Sequence, residues 1–282
     1  MGIANFLILT LVEAWEPPHW IGLMEHDWST LALAMIGAFS LGVAKTGFPG
    51  LAILNVILLA ELFGARQSAG IILPLLVVCD LLVYPAFRRY SSWKKALWPL
   101  LPPTLIGVAM GYLVLRHIDN ATARPLIGWI VLFMLALQLL REWKGDWLAH
   151  LPNSLRFAWF SGGLIGIATT VANAAGPIFS IHSLVSHWPK EEFLGRGARF
   201  FLLVNVLKIP FLGHLDLVNA GSLMIDAILL PALLGGLVLG RFLIHRVRQR
   251  TFEVLLYLFS AVSGLYMVCG NAVIAAIKSF AA

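Results

Sequence analysis

Two lysines and one aspartate stand inside apolar runs of this 282-residue sequence. Lys45 lies in LGVAKTGFPGLAI, Lys208 in FFLLVNVLKIPF and Asp80 in LPLLVVCDLLVYP. A lysine at the centre of a membrane-spanning helix costs about 2.5–3.5 kcal/mol on insertion scales, so such a residue usually faces a polar cavity or a partner. Two ammonium groups against one carboxylate leave an excess positive charge, which favours an anion as the ligand.

Two interpretations of the three charges remain open at this point. In the first, Asp80 neutralises one lysine and only fixes the packing of the helices. In the second, at least one lysine faces a polar cavity and binds a small anion, with uncharged hydrogen-bond donors and backbone N–H groups around it. Glycine at a helix break lets the backbone approach such a ligand. The residues predicted to contribute in this way are Thr46, Gly47, Gly50, Asn173, Gly176 and Asn205.

The amino-acid composition indicates which class of protein contains these three charged residues. Sixty per cent of the residues are hydrophobic, only 12% are charged, and the mean hydropathy is +0.87. Soluble domains carry about 25% charged residues, and the apolar runs here approach the ~20 residues that span a bilayer. The sequence therefore predicts an all-α integral membrane protein. No P-loop or hydrolase motif occurs, and the two cysteines do not have the spacing of metal ligands. We therefore predict that the protein is not an enzyme and binds no metal or cofactor.

An internal repeat predicts how the helices are organised. LPPTLIGVAMGYLVL at 101–115 aligns without a gap with LPALLGGLVLGRFLI at 230–244. This match predicts two repeats of about five helical segments each, 8–10 in total, and an odd number of segments per half inverts the second repeat relative to the first. The predicted segments are about 29–44, 49–62, 68–87, 95–115, 123–141, 155–171, 175–187, 194–212, 219–241 and 250–273. The predicted regions are an outside or interfacial segment at 1–28, repeats at 29–142 and 155–278, and a cytoplasmic loop at 143–154.

The first two segments of each half are short and interrupted by glycine and proline. Interrupted segments at corresponding places in two halves indicate the binding site of a transporter. Whether these short pairs cross the membrane or turn back stays open. Lysines and arginines in the connectors number fourteen on one side of the membrane and four on the other, the four being Arg66, Arg116, Arg124 and Lys278. Because basic loops stay in the cytoplasm, we expect a multi-pass inner-membrane protein with the richer side facing inward.

Several separate motifs resemble the TauE/SafE family of sulfite and organosulfonate exporters. They are GVAKTGFPGL, GIILPLLVVCDLL, RRYSSWKKALWPLLPPTLIGVAMG, TTVANAAGPIFSI and FFLLVNVLKIPF, in the order expected for the family. The resemblance implies a permease that exports a small sulfur-containing anion by alternating access. It also implies that Asp80 balances charge or carries the coupling proton. The substrate-binding residues that it implies are Lys45, Thr46, Gly47, Pro49, Gly50, Asn173, Gly176, Pro177, Asn205 and Lys208.

Two alternatives belong to other functional classes. A passive anion channel would use the same charges without coupling, and a membrane-embedded sulfur-relay protein would use the thiol of Cys79. The expected partners are a small anionic substrate, a coupling ion (H⁺) and membrane lipids. No nucleic acid is expected, because the basic residues lie in short connectors, and the oligomeric state stays open. His182, flanked by apolar residues, is expected to be packed and hydrogen-bonded.

Overall fold

A computed structural model of the chain describes residues 28–46 and 51–243, together with residues 257, 258, 261, 262 and 264–269. Every regular element in those residues is helical, and a 3₁₀ helix, Arg88–Tyr90, follows the third α-helix. The α-helices of residues 28–243 are α1 (Trp28–Lys45), α2 (Leu51–Phe63), α3 (Ala65–Phe87), α4 (Trp93–Leu97), α5 (Leu101–His117), α6 (Asn120–Ala149), α7 (Leu155–Ala172), α8 (Gly176–Val185), α9 (Lys190–His214) and α10 (Ala220–Leu243).

The helices fall into long and short classes. Helices α1, α3, α6, α7 and α10 are long and apolar enough to cross a membrane. Helices α2 and α8 are apolar but contain only 13 and 10 residues. At 1.5 Å per residue, a 10-residue helix covers about 15 Å of a hydrocarbon core about 30 Å thick. The prediction of an all-α integral membrane protein that contains short helices is confirmed.

Helix α5 has one face suited to lipid and one suited to another helix. Ile106, Met110 and Leu113 are about half exposed and lie on one side of the helix. Gly107 and Gly111 are buried on the opposite side, against α7. An exposed apolar stripe is unfavourable in water, whereas lipid tails solvate it and small residues allow close contact between helices.

Two predicted boundaries differ from the structure. The segment expected at 95–115 is divided by Trp98–Leu100, and α5 begins at Leu101 with prolines in its first turn, where a missing N–H group is tolerated. The loop expected at 143–154 begins instead as helix, because α6 continues to Ala149 through a kink at Lys144. The extension is held by Leu148, which is buried with residues of α8. Only residues 150–154 connect α6 to α7.

Two pairs of helices, α1 with α10 and α5 with α7, pack in the same way. A methyl group placed on Gly42 would lie 2.2 Å from the carbonyl oxygen of Leu233, and one placed on Gly166 would lie 2.2 Å from that of Thr104. Leu233 corresponds to Thr104 in the register that aligns 230–244 with 101–115. Such reciprocal contacts are what a two-fold relation between the halves would produce. The expected tenth segment, 250–273, lies largely outside the described residues, and the inverted repeat stays a prediction.

Helices α3 and α9 run antiparallel through the middle of the protein. The start of α3 meets the end of α9, because a methyl group on Gly70 would overlap Leu217. The end of α3 meets the start of α9, because one on Gly195 would lie 2.9 Å from the backbone of Tyr90. Between these two contacts, the side chains of Asp80 and Asn205 are hydrogen-bonded. We call this contact line between α3 and α9 the central seam.

Gly166 and Gly163 form a matched pair for testing the close contact, because both lie in α7. A methyl group on Gly163 would meet nothing nearer than 4.0 Å, whereas one on Gly166 would overlap α5. We expect Gly166→Ala to lower the stability by about 1–3 kcal/mol through overpacking. We expect Gly163→Ala to be neutral or slightly stabilising, because alanine favours a helix over glycine by about 1 kcal/mol. Thermal unfolding in detergent, followed by size-exclusion chromatography, measures the difference; equal unfolding temperatures for the two variants would contradict the close contact.

Candidate functional site

Lys45, the last residue of α1, is paired with the carboxylate of Asp80 in α3. Its Nζ lies 2.5 Å from Oδ1 of Asp80 and 5.5 Å from the centre of the Phe201 ring. The side chain of Lys45 is 20% exposed, whereas that of Asp80 is only 4% exposed. Lys45 is therefore a partly exposed side chain whose ammonium group is bonded to a buried partner.

Asp80 is held by two helices besides its own. Its Oδ1 accepts the bond from Lys45 of α1, and its Oδ2 accepts a hydrogen bond of 2.7 Å from Nδ2 of Asn205 in α9. Because each carboxylate oxygen has a donor, the buried charge is both paired and hydrogen-bonded, as buried charges usually are. The carboxylate joins α1, α3 and α9 at one point.

Lys208 is fully buried and bonds to uncharged oxygen atoms. Its Nζ donates to the carbonyl oxygen of Thr169 at 2.5 Å, to Oγ1 of the same residue at 3.2 Å and to Oδ1 of Asn173 at 2.7 Å. Oδ1 of Asn205 lies 3.5 Å away, which connects Lys208 to Asp80 through one amide. The carbonyl of Thr169 belongs to the last turn of α7, where the helix dipole is negative and favours a cation.

At the break between α7 and α8, that carbonyl oxygen accepts the backbone N–H of Asn173 at 3.2 Å and also the bond from Lys208. Asn173 has left-handed backbone angles, φ 51° and ψ 28°, and ends α7. Its Nδ2 donates to the carbonyl oxygen of Ala69 at 3.0 Å, so the break is also fixed to α3. Helix α8 then begins with Gly176 and Pro177.

The start of α8 borders open space. Asn173, Gly176 and Pro177 are each partly exposed, and a methyl group on Gly176 would meet nothing within 4 Å. Helix N-termini favour negative charge, because their first N–H groups have no partner within the helix. The break thus places Lys208 at the negative end of one helix and leaves the positive end of the next one accessible.

Five of the predicted residues form one hydrogen-bonded network: Lys45, Asp80, Asn205, Lys208 and Asn173. Two ammonium groups against one carboxylate give this network, which we call the lysine network, a formal charge of +1. Sequence reasoning did not find Thr169 or Phe201, which contact the two ammonium groups. The available signal for Thr169 was its position one turn before the predicted break, at the C-terminal end of a helix, where the helix dipole favours a cation.

Other predicted residues do not join the lysine network. The hydroxyl of Thr46 donates to the carbonyl oxygen of Val43 at 2.8 Å, and its side chain packs against Gly240 of α10. The predictions for Gly47, Pro49 and Gly50 lie outside the described residues. No cluster of three or more potential metal ligands occurs in the part of the chain that the structure describes.

His182 forms a separate buried group. Its Nδ1 lies 2.8 Å from Oγ of Ser161, its Nε2 lies 3.3 Å from Oγ of Ser186, and its ring stacks on Phe157. Both ring nitrogens therefore have partners outside the lysine network. The contacts are those of a packed, hydrogen-bonded histidine.

Comparison with protein families gives one match, to the model described as sulfite exporter TauE/SafE, over residues 28–267. This match covers most of the chain. The chain belongs to the TauE/SafE family. Membership implies a multi-pass membrane transporter of sulfite or related sulfur-containing anions. No curated protein and no solved structure gives a significant match.

A double-mutant cycle tests whether Lys45 and Asp80 stabilise each other. We expect Lys45→Met to destabilise the protein by up to about 3–5 kcal/mol, because it leaves the buried carboxylate without its charged partner. The double variant Lys45→Met/Asp80→Asn removes both charges and is expected to recover much of that loss. Unfolding temperatures in detergent measure the coupling. Strictly additive effects of Lys45→Met and Asp80→Asn would contradict the ion pair.

Proposed function

We propose that the protein exports sulfite or a small organosulfonate across the inner membrane by alternating access, with Lys45 as the direct ligand of the anion. The observation that carries this proposal is the position of Lys45, whose side chain is 20% exposed although its ammonium group is paired with a buried carboxylate. Anionic oxygens form stronger, charge-assisted hydrogen bonds with an ammonium group than neutral acceptors do. The basic connectors face the cytoplasm in this proposal.

The two lysines take different roles. Lys208 is fully buried, and its ammonium group donates its hydrogen bonds to Thr169 and Asn173. It therefore contributes positive charge to the site without contacting the anion in this conformation. At the start of α8, the partly exposed Gly176 offers a backbone N–H group on the accessible side of the break. This donor suits an oxygen of a sulfite or sulfonate group.

Asp80 provides the proposed link between anion binding and a proton. When an anion bonds to Lys45, it competes with Asp80 for the ammonium group. The carboxylate then keeps only the hydrogen bond from Asn205 and is free to take up a proton. Binding of the anion and protonation of Asp80 therefore favour each other, which corresponds to movement of the anion and a proton in the same direction.

A passive anion channel is the second candidate, since the net positive charge of the lysine network would also favour conduction of anions. The two candidates differ in their response to a pH gradient. Coupled transport accelerates or slows when the gradient is imposed, whereas flux through a channel follows only the concentration and electrical gradients of the anion.

We expect proteoliposomes containing the purified protein to transport sulfite selectively over sulfate, acetate and chloride, and to respond to an imposed pH gradient. Lys45→Gln should lower the initial rate at least about 100-fold, because it removes the charged donor and leaves Asp80 repelling the anion. The matched control is Lys94→Gln, which removes an exposed lysine of α4 and should leave the rate unchanged.

Three outcomes would count against the proposal. Sulfite flux that is equal in Lys45→Gln and the wild type would contradict the role of Lys45. Flux that ignores the pH gradient would favour the channel. No anion flux from a folded wild-type protein would leave the ion pair with a packing role only.

The sulfur-relay alternative depends on the thiol of Cys79. This thiol is fully buried beside Asp80, while the other free cysteine, Cys269, is exposed. We expect Cys79→Ala to transport sulfite at the wild-type rate, because an exporter needs no thiolate. Loss of flux in a correctly folded Cys79→Ala protein would instead favour the relay.

A further inference from the structure

Arg199 is a second buried cation on α9, two turns before Asn205. Its side chain crosses the central seam, where one guanidinium nitrogen donates to the carbonyl oxygen of Arg88 at the end of α3. The other donates to the carbonyl oxygen of Gly195 in its own helix at 3.0 Å. The rings of Tyr84 and Trp93 lie 5.5 and 5.8 Å from the guanidinium carbon.

Within the described residues, no carboxylate pairs with this charge. Arg199 is only 5% exposed and forms no ion pair with any residue that the structure describes, and its buried Nε has no hydrogen-bond partner there. Its neighbour Arg196, in contrast, is paired with Glu192 at 2.7 Å. A buried guanidinium with neutral acceptors and a free donor is a strong site for an anionic oxygen, because charge-assisted bonds exceed bonds to carbonyl groups.

The two ends of the central seam differ in this respect. When the sequences of α3 and α9 are aligned so that Pro85 matches Pro210, Gly70 matches Gly195. Each of these two glycines makes a close backbone contact at its own end of the seam. The same register aligns Arg199 with Pro74. Packing alone closes the end of the seam at Gly70. The end at Gly195, beside the basic connectors, is closed by packing and also by the charged side chain of Arg199.

We propose that Arg199 binds the transported anion first, at the cytoplasmic end of the central seam, and that its bond to the Arg88 carbonyl is the latch that the anion releases. This proposal rests on the proposed function, since the anion that opens the latch is the exported one. A sulfite or sulfonate oxygen replaces the carbonyl oxygen as acceptor. The end of α3 then separates from α9, and the path toward Lys45 opens.

Hydrogen exchange measured by mass spectrometry on the full chain in nanodiscs tests the latch without any substitution. Sulfite should increase the exchange rate of amides in residues 84–92 at least about threefold, relative to gluconate at equal ionic strength. Amides of residues 103–108 of α5 and 158–166 of α7, which lie at the close contact between these two helices, serve as internal controls and should not change.

Variants then assign the effect to the guanidinium. In Arg199→Gln, exchange in residues 84–92 should be fast without sulfite and insensitive to it, and the KM for sulfite on the cytoplasmic side should rise about tenfold. Arg199→Lys keeps the charge and should retain a weaker response. Arg89→Gln removes an exposed arginine whose side chain donates to the hydroxyl of Tyr90 beside it and should behave as wild type.

The outcomes separate the latch from the proposed function. If the wild-type protein transports sulfite but exchange in residues 84–92 is the same with and without it, the latch is overturned, whatever the variants do. If Arg199→Gln has the same KM and exchange as Arg89→Gln, it is also overturned. If the wild-type protein transports no sulfite at all, the proposed function fails, and the latch fails with it.

Discussion

The structure depends on placing two ammonium groups and one carboxylate in an apolar interior. None of the three can lie there without partners, because an unpaired charge costs several kcal/mol when it leaves water. Their partners come from four helices: α1 provides Lys45, α3 provides Asp80, α9 provides Asn205 and Lys208, and α7 provides its terminal carbonyl. The bonds that satisfy these groups connect the end of α1 to α3, α3 to α9 and α9 to the end of α7.

The same constraint explains why the two lysines differ. Lys208 is satisfied by protein atoms on all sides, so its position fixes the break between α7 and α8. Lys45 is satisfied on one side only and is partly exposed on the other. A transporter needs both kinds of residue. A partly exposed group binds the ligand, and fully bonded buried groups keep that group in a fixed position. Small residues complete the arrangement, since Gly42 and Gly166 let neighbouring helices approach closely enough to align these groups.

Sequence reasoning found the helices because membrane helices must be apolar over their whole length, which makes them easy to recognise. It also found Lys45, Asp80 and Lys208, since charges in such runs are conspicuous. It did not find Thr169, whose contribution is mainly a backbone carbonyl that any residue type would provide. Nor did it find the continuation of α6 through Lys144, because that depends on burial of Leu148 against α8 rather than on local sequence. Thr46 has the right chemistry for the site, yet its hydroxyl bonds within α1, because Gly240 of α10 packs against it.

The central claim is that the anion binds at the accessible face of Lys45. The most direct test is a crystal structure with 2-bromoethanesulfonate, a sulfonate whose bromine atom can be located by anomalous scattering, after inhibition of sulfite flux shows that it enters the site. The account predicts sulfonate oxygens within hydrogen-bonding distance of Nζ of Lys45, with the bromine in the open space before α8. An inhibitory sulfonate located away from Lys45, with the Lys45–Asp80 pair undisturbed, would contradict the claim.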